Sequence, residues 1–171
     1  MTDRRTVLRN SAAVAFGATA LSAFVSGPAE AQAPQQHRSA NSQQRAEIVA
    51  VLKNYERALN ASDVAGVVQL YTADAVLMAP NAPTAIGTDA VRAAYTGIFQ
   101  AIDIDLTFDV AEVNVVSADW AFLRSASHGS IVILANGAQV PSSNQELFVL
   151  QRVQGCWKLA RYSFSSVLPS A

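Results

Sequence analysis

The sequence predicts an α+β fold, in which three helices pack on the concave face of a cone-shaped, curved antiparallel sheet. Two patterns predict it. Apolar residues recur at helical spacing up to about residue 102, and beyond that point apolar and polar residues alternate in long segments. The chain has 171 residues, 51% of them hydrophobic and 15% charged, which is enough for one domain with a sizeable core. A strongly curved sheet is hard to cover completely, so we expect a cavity open at one end.

The three helices are expected between residues 42 and 102. The first begins at a cap formed by Asn41 or Ser42, and its buried stripe consists of Ile48, Leu52, Tyr55 and Leu59. The second helix is short, is capped by Ser62, and ends at residue 70 or 71. Thr88 is the expected cap of the third helix. Its apolar stripe consists of Val91, Ala94, Tyr95, Ile98 and Ile102.

The strands are expected on both sides of the third helix. A short strand over residues 74–78 stops at a loop that runs from Pro80 to Pro83. Four longer strands follow the third helix, over residues 104–116, 120–134, 144–152 and 156–165. Polar and glycine-containing turns separate them, as expected for an antiparallel meander.

Residues 1–33 have the features of a bacterial export signal. Arg4 and Arg5 lie in a segment that resembles a twin-arginine motif, and an alanine-rich apolar run too short for a comfortable membrane span follows it. Cleavage after Ala31 and cleavage after Ala33 are both possible, and the alternative is a non-cleaved amphipathic start. Residues 34–41 are expected to form a polar linker before a domain at 42–168. We therefore expect export by the twin-arginine translocase to the periplasm or the medium.

Composition excludes several classes of function. The net charge is −1 and no basic face is evident, so nucleic acid is not expected as a partner. The single cysteine, Cys156, excludes an intrachain disulfide and a cysteine-based zinc site, and we expect it to be a small buried residue. The two histidines lie at unrelated spacing, and no glycine-rich phosphate loop occurs. We therefore expect no metal and no nicotinamide or flavin cofactor.

Two segments carry a resemblance to a known superfamily. One reads VLKNYERALNASDVAGVVQLYTADAVLMAPNAPTAIGTDAVRAAYTGIF over residues 51–99, and the other is ELFVL followed by GCWKLARYSF between residues 146 and 164. They resemble the ketosteroid isomerase and SnoaL-like superfamily, particularly its SgcJ/EcaC branch. The resemblance implies a small-molecule pocket and a homodimer paired through the sheet. In the isomerases a catalytic aspartate precedes a proline, whereas Ala79 precedes Pro80 here, so the pocket is expected without that base.

Three residues are candidates for catalysis. By the resemblance, Tyr55 matches a tyrosine that donates a hydrogen bond to an oxyanion, and the alternative is a core residue. Glu146 lies at, or one residue from, a second donor that is a protonated carboxylic acid. The alternative for Glu146 is an ion pair with Arg124 or Arg152. His128 is the one histidine of the mature domain beyond the linker and the candidate base, with a surface or interface hydrogen bond as the alternative.

The remaining candidates belong to the expected pocket wall. The ligand-binding candidates are Met78, Tyr95, Arg124, Ser127, Asn144, Tyr162 and Phe164. Their aromatic rings indicate a planar or hydrophobic ligand. Either face of strand 120–134 could line the pocket, because one face carries Arg124 and His128 and the other carries Ser125 and Ser127.

Three interpretations of function follow. One is a cofactor-independent isomerase, cyclase or hydratase that acts on a small apolar or aromatic substrate. Another is a non-catalytic periplasmic ligand-binding or accessory module. A third is a structural dimer in which Met78, Tyr95 and Phe164 fill the cone, and it predicts no pocket of ligand size.

Overall fold

Three helices and six strands form residues 33–168, the part of the chain that the computed structural model describes. The helices are α1 (Ala33–Asn60), α2 (Val64–Gln69) and α3 (Thr88–Ala101). The strands are β1 (Tyr71–Met78), β2 (Ala85–Ile86), β3 (Ile102–Val115), β4 (Trp120–Ile133), β5 (Ala138–Val153) and β6 (Cys156–Ser166). Apart from its last residue, the expected export signal over residues 1–33 lies outside the described residues.

The start of α1 differs from the prediction. The helix begins at Ala33, whereas a cap at Asn41 or Ser42 was expected, so residues 34–41 are helical backbone and not an extended linker. Pro34 is favourable in the first turn of a helix, and the glutamines, arginine and alanine that follow have good helix propensity. The domain boundary at residue 42 stays a prediction.

The caps of the two shorter helices also differ from the prediction. The cap of α2 is Asp63 and not Ser62, because the Asp63 carboxylate accepts a hydrogen bond from the Gly66 amide at 2.9 Å. A side chain at Gly66 would collide with that carboxylate, so the cap depends on glycine there. Helix α3 is preceded by Gly87 at φ 82°, and Thr88 is its first residue.

The six strands form one sheet in the order β2-β1-β6-β5-β4-β3. The pair β1–β6 is parallel and the other neighbours are antiparallel. Register shifts place extra residues in β1, β3 and β6, and such bulges increase the bend and twist of the strands that contain them. The α+β class, the curved sheet and the three helices are confirmed. The expectation of a wholly antiparallel sheet is wrong, because β1 pairs in parallel with β6. That the helices cover its concave face stays a prediction.

Strand β5 begins six residues before the predicted start at residue 144. Pro141 obscured this extension, because proline has no amide hydrogen for a ladder. Residues 138–142 pair with β4 alone, whereas the register with β6 reaches only as far as Asn144. The missing amide hydrogen of Pro141 is therefore tolerated, since one side of this part of β5 has no neighbouring strand.

Helix α1 covers the edge of β3 with polar side chains. The Asn60 amide donates to the Leu106 carbonyl at 2.8 Å and accepts from the Leu106 amide at 3.0 Å. One turn earlier, Glu56 accepts from the Phe108 amide at 3.0 Å, and Lys53 donates to the Phe108 carbonyl at 3.3 Å. These bonds satisfy backbone groups that an open edge strand would expose.

The core lies between α1, α3 and one face of the sheet. Tyr55 is at its centre, with edge-to-face ring contacts to Phe108, Phe148 and Tyr162 at centroid distances of 5.7, 5.8 and 5.6 Å. Cys156, expected as a buried residue, is exposed because it starts β6 next to the turn at residues 154–155. Within the described residues, no helix is both long and apolar enough to cross a membrane.

Candidate functional site

A cavity of about 590 Å³ lies between the helices and the sheet. Its walls are mostly aliphatic and aromatic. They come from helices α1 and α3, from the six strands and from the proline-containing loop between β1 and β2. The polar residues among them are Tyr55, Tyr95, Ser142, Asn144, Glu146, Tyr162 and Ser166. An apolar cavity of this size with a few converging polar groups is typical of a small-molecule site.

Strand alternation places the polar groups of β5 in this cavity. Ser142, Asn144 and Glu146 are two residues apart and therefore share one face of the strand. The register sets Glu146 opposite Ser125 of β4 on one side and Phe164 of β6 on the other. The carboxyl is thus placed by a central strand of the sheet, with fixed neighbours on both sides.

Glu146 is the ionisable carboxyl of the cavity wall and is only 3% exposed. Burial raises the pKa of its carboxyl to about 7, while hydrogen bonds from Ser127, Ser125 and Tyr162 act in the opposite direction. The Ser125 hydroxyl donates to the carboxylate at 3.3 Å. Both protonation states of Glu146 are therefore populated near neutral pH, which suits a group that gives and takes protons.

The hydroxyls of four tyrosines form a chain that leads to Glu146. The hydroxyl oxygens of Tyr71 and Tyr95 are 2.8 Å apart, and those of Tyr95 and Tyr55 are 2.9 Å apart. Tyr162 interacts in turn with Tyr55 and with the Glu146 carboxyl. An ionised carboxylate only accepts hydrogen bonds, so with Glu146 ionised each hydroxyl donates toward it along the chain.

The tyrosines remain protonated at neutral pH. Burial raises the pKa of each of the four hydroxyls well above its ordinary value, and the charge of Glu146 adds to this effect. They act as hydrogen-bond donors rather than as bases. The chain therefore stabilises negative charge at its cavity end without itself ionising.

Three aromatic rings stack beside the carboxyl. The rings of Phe148 and Tyr162 are nearly parallel, with centroids 4.1 Å apart and an interplanar angle of 4°. Phe164 continues the stack from Tyr162 at 5.3 Å and 20°. Tyr162 and Phe164 line the cavity, so the stack presents a flat aromatic surface to it.

Most of the predicted site residues come together here. The cavity is lined by Tyr55, Tyr95, Asn144, Glu146, Tyr162 and Phe164. Ser127 is fully buried beside it, where its hydroxyl accepts from the Asn144 amide at 3.2 Å. The interpretation in which the cone is filled is therefore wrong, because Tyr95 and Phe164 form walls around an open volume.

His128 and Arg124 are not in the cavity. The His128 imidazole is 61% exposed on the other face of β4 and pairs with Asp109 at 3.3 Å. Arg124 is on the same outer face and pairs with Glu112 at 3.2 Å. Both expectations are wrong because the opposite face of β4 is the buried one. That face carries Ser125 and Ser127 together with apolar residues such as Leu123, and their burial in the core turns Arg124 and His128 outward.

The proposed ion pair of Glu146 with Arg124 or Arg152 is also wrong. Arg152 binds the Glu47 carboxylate at 2.8 Å, and neither residue lines the cavity. Met78, expected in the wall, is 42% exposed and its neighbour Leu77 lines the cavity instead. A shift of one residue along β1 accounts for this difference, because alternate residues face opposite sides.

Several residues in the cavity wall or directly behind it were not predicted from the sequence. Tyr71 and Ser125 contribute buried hydroxyls that bond to wall residues, and Ser142 and Ser166 belong to the wall itself. The alternation that selected Ser127 could have indicated Ser125 as well. Ala79 lies in the wall, so the residue before Pro80 presents a methyl group to the cavity.

The chain belongs to the SnoaL-like domain family, whose sequence model matches residues 51–159. A ketosteroid isomerase-like protein from Erwinia carotovora atroseptica is 38% identical, with a TM-score of 0.72 over 74% of this chain and 98% of that one. No curated protein is significantly similar in sequence to the present chain.

More distant structures share the fold alone. A putative scytalone dehydratase from Novosphingobium aromaticivorans is 19% identical, with a TM-score of 0.67 over 77% of this chain and 89% of that one. A nuclear transport factor 2-like protein from Salmonella enterica is 15% identical, with a TM-score of 0.67 over 77% of this chain and 96% of that one. The family match and these shared folds leave the ligand and the reaction open.

Proposed function

We propose that the protein binds a small apolar or aromatic molecule in this cavity and catalyses a cofactor-independent proton transfer on it, as an isomerase, cyclase or hydratase. The observation that carries the proposal is the buried Glu146 carboxyl in an apolar wall, with a pKa of about 7. Such a carboxyl costs stability, and groups of this kind are found where acid–base chemistry needs them. The proteins named ketosteroid isomerase-like and scytalone dehydratase-like among the similar structures agree with this class of reaction.

The reaction needs one acid–base group. Ionised Glu146 removes a proton from a carbon next to a ligand carbonyl, and the C–H electron pair becomes the new carbon–carbon double bond as the carbonyl becomes an enolate. As Glu146 takes up the proton, the Tyr55 hydroxyl no longer donates toward it through Tyr162. It donates instead to the developing oxyanion while it accepts from Tyr95. The protonated Glu146 then returns the proton to a different carbon, which isomerises the ligand, or to a departing hydroxyl, which dehydrates it.

A deuterium-exchange assay tests this proposal. The purified protein is mixed with 2-tetralone, a bicyclic ketone, in D₂O, and deuterium uptake next to the carbonyl is followed by proton NMR. We expect the native chain to accelerate exchange over buffer, and Glu146→Gln to lower the rate by about 10²-fold or more.

The matched control is Glu112→Gln, which removes an exposed carboxyl from the outer face of the sheet and leaves the cavity unchanged. We expect this variant to exchange 2-tetralone at the native rate. Equal rates for Glu146→Gln and the native chain would refute the acid–base role of Glu146.

A non-catalytic binding protein is the second candidate, and Ala79 favours it. Where the isomerases have a catalytic aspartate, this cavity wall has a methyl group, so Glu146 is the sole carboxyl among the lining residues in the part of the chain that the structure describes. Native mass spectrometry of the purified chain would reveal a co-purified molecule. A tightly held ligand that the protein returns chemically unchanged, together with no exchange of 2-tetralone, supports this candidate over the enzyme.

We further propose that the protein is exported, that it forms a homodimer, and that it belongs to the SgcJ/EcaC branch of the family. We propose that the twin-arginine segment directs the chain to the periplasm, which fractionation of cells expressing an Arg4→Lys, Arg5→Lys variant would test. We also propose a homodimer paired through the outer sheet face, where Trp120 and Leu147 are exposed. Light scattering should give twice the mass of the chain, and Leu147→Arg should reduce it to that of a monomer.

A further inference from the structure

We infer that the ligand of this cavity is an uncharged, planar aromatic molecule with two hydrogen-bonding groups, and that the cavity rejects carboxylates and other anions. The inference rests on the proposed function only in placing the ligand in the same cavity. Three properties of the wall carry it: its charge, its stacked rings and the spacing of its polar groups.

No lysine, arginine or histidine is among the residues that line the cavity in the described part of the chain. Of the cations close in sequence to lining residues, Lys53 pairs with Glu56, and Arg161 binds the Asp74 side chain and carbonyl. An anion entering this volume would lose its hydration without gaining a counter-charge. It would also approach Glu146, which is itself partly ionised at neutral pH.

The aromatic stack has a free end inside the cavity. Phe148, Tyr162 and Phe164 follow one another with nearly parallel rings, and Phe164 is half-buried where the stack ends. Among the ring contacts of the described residues, Phe164 contacts Tyr162 alone. A planar ring would extend the stack, and offset stacking adds about 1 kcal/mol beyond the area that it buries.

The two polar groups are set by the geometry of β5. Asn144 and Glu146 share a face of the strand and are two residues apart, so their side chains leave the strand about 7 Å from one another. The amide nitrogen of Asn144 donates to the hydroxyls of Ser127 and Ser142, at 3.2 and 3.3 Å. Its amide oxygen is left to accept from a ligand hydroxyl, while the tyrosine chain and Glu146 bind a second polar group deeper in the cavity.

Three probes separate these properties. 2-Naphthol is planar, uncharged and has one polar group, 2-naphthoate has the same rings with a charge, and 2,6-dihydroxynaphthalene has a second hydroxyl at the far end. Their dissociation constants are measured by isothermal titration calorimetry with the purified chain at pH 6, where naphthoate is ionised.

We expect 2-naphthol to bind, 2-naphthoate to bind at least about tenfold more weakly, and the diol to bind several-fold more tightly than 2-naphthol. In Asn144→Ala, the ratio between diol and 2-naphthol affinities should fall to about one. In Phe164→Leu, both should weaken while circular dichroism shows an unchanged fold. Naphthoate binding as tightly as 2-naphthol, a diol advantage that persists in Asn144→Ala, or no binding of any probe would overturn the inference.

The exchange assay with 2-tetralone distinguishes this inference from the proposed function. Selective binding of 2-naphthol over 2-naphthoate without any exchange supports the ligand class and refutes the proton transfer. Exchange that depends on Glu146, together with equal binding of the two naphthalenes, supports the proton transfer and refutes the ligand class.

Discussion

The two faces of strands β4 and β5 place similar side chains in opposite environments. On the cavity face, the Glu146 carboxyl is buried with Ser125 and Ser127 as partners. On the outer face, the Glu112 and Asp109 carboxylates on neighbouring β3 are exposed and paired with Arg124 and His128. Along β4, the inward-facing Ser125 and Ser127 are only one residue away from Arg124 and His128, which face outward.

This difference shows that burial, and not residue type, creates the reactive group. Histidine has an ordinary pKa closer to neutrality than any carboxylic acid has, yet His128 is in water outside the cavity. Desolvation brings the carboxyl of Glu146 to the same pH range on the inner face. Four predictions test the contrast between the faces, beginning with the largest effect.

The largest effect is expected from core truncation on the inner face. Phe148→Ala removes a ring that is 1% exposed and contacts both Tyr55 and Tyr162, so it should lower the free energy of unfolding by about 3–5 kcal/mol. Its neighbour Leu147 is 45% exposed on the outer face. Leu147→Ala should cost less than about 1 kcal/mol in urea denaturation at a protein concentration at which light scattering shows a monomer, and equal losses would contradict the assignment of the two faces.

The second effect is a pH dependence of stability that comes from Glu146. Its pKa is about 7 in the folded chain and near 4.5 in an ordinary environment, so its contribution is fully present below pH 4.5 and is lost as pH rises through 7. The loss should amount to about 3 kcal/mol.

Urea denaturation at several pH values measures this dependence. Glu146→Gln should remove most of the decline in stability between pH 4.5 and 7, whereas Glu112→Gln on the outer face should preserve it. An unchanged decline in the glutamine variant at position 146 would show that another group is responsible.

The third effect comes from the hydroxyl chain. Tyr95 links Tyr71 to Tyr55, so Tyr95→Phe leaves two buried hydroxyls each without one partner. It should lower the free energy of unfolding by about 2 kcal/mol and reduce the exchange of 2-tetralone. Thr96→Val is the matched control, since it removes a hydroxyl on the same helix that bonds only the Arg92 carbonyl, and it should cost about 0.5 kcal/mol or less.

The smallest effect is expected at the outer ion pair. His128→Ala removes an exposed partner of Asp109 and should change the free energy of unfolding by less than about 0.5 kcal/mol. The exchange rate of 2-tetralone should equal that of the native chain. A large loss of exchange in this variant would return His128 to the list of catalytic candidates.

The sequence was sufficient for much of the candidate site. Helical spacing placed Tyr55 and Tyr95 in the core, and alternation put Asn144 on the same face of a strand as Glu146 and Tyr162 on the same face as Phe164. These relations are local, since they depend on the repeat of one helix or strand. Proline and glycine marked the loops. Pro141, however, concealed the first third of β5, because a strand tolerates proline only where no neighbouring strand needs its amide hydrogen, and the register with β6 ends at Asn144.

Tertiary structure decided the relations that no local repeat contains. Each face of β4 carries both polar and apolar residues, so the sequence alone did not show which face is buried. Packing against β3, β5 and the core determined that Ser125 faces inward and His128 outward. The chain of hydroxyls joins Tyr71, Tyr95, Tyr55 and Tyr162 from four different elements.

By itself, then, the sequence determined the α+β elements and which residues share a side of each one, because those follow from the 3.6-residue and two-residue periods of the backbone. Only the tertiary structure brought one carboxyl and four tyrosine hydroxyls from distant segments together in one buried cluster at the cavity wall. The pKa of Glu146 depends on those surroundings, since desolvation is produced by every element that surrounds a group and not by the strand that carries it.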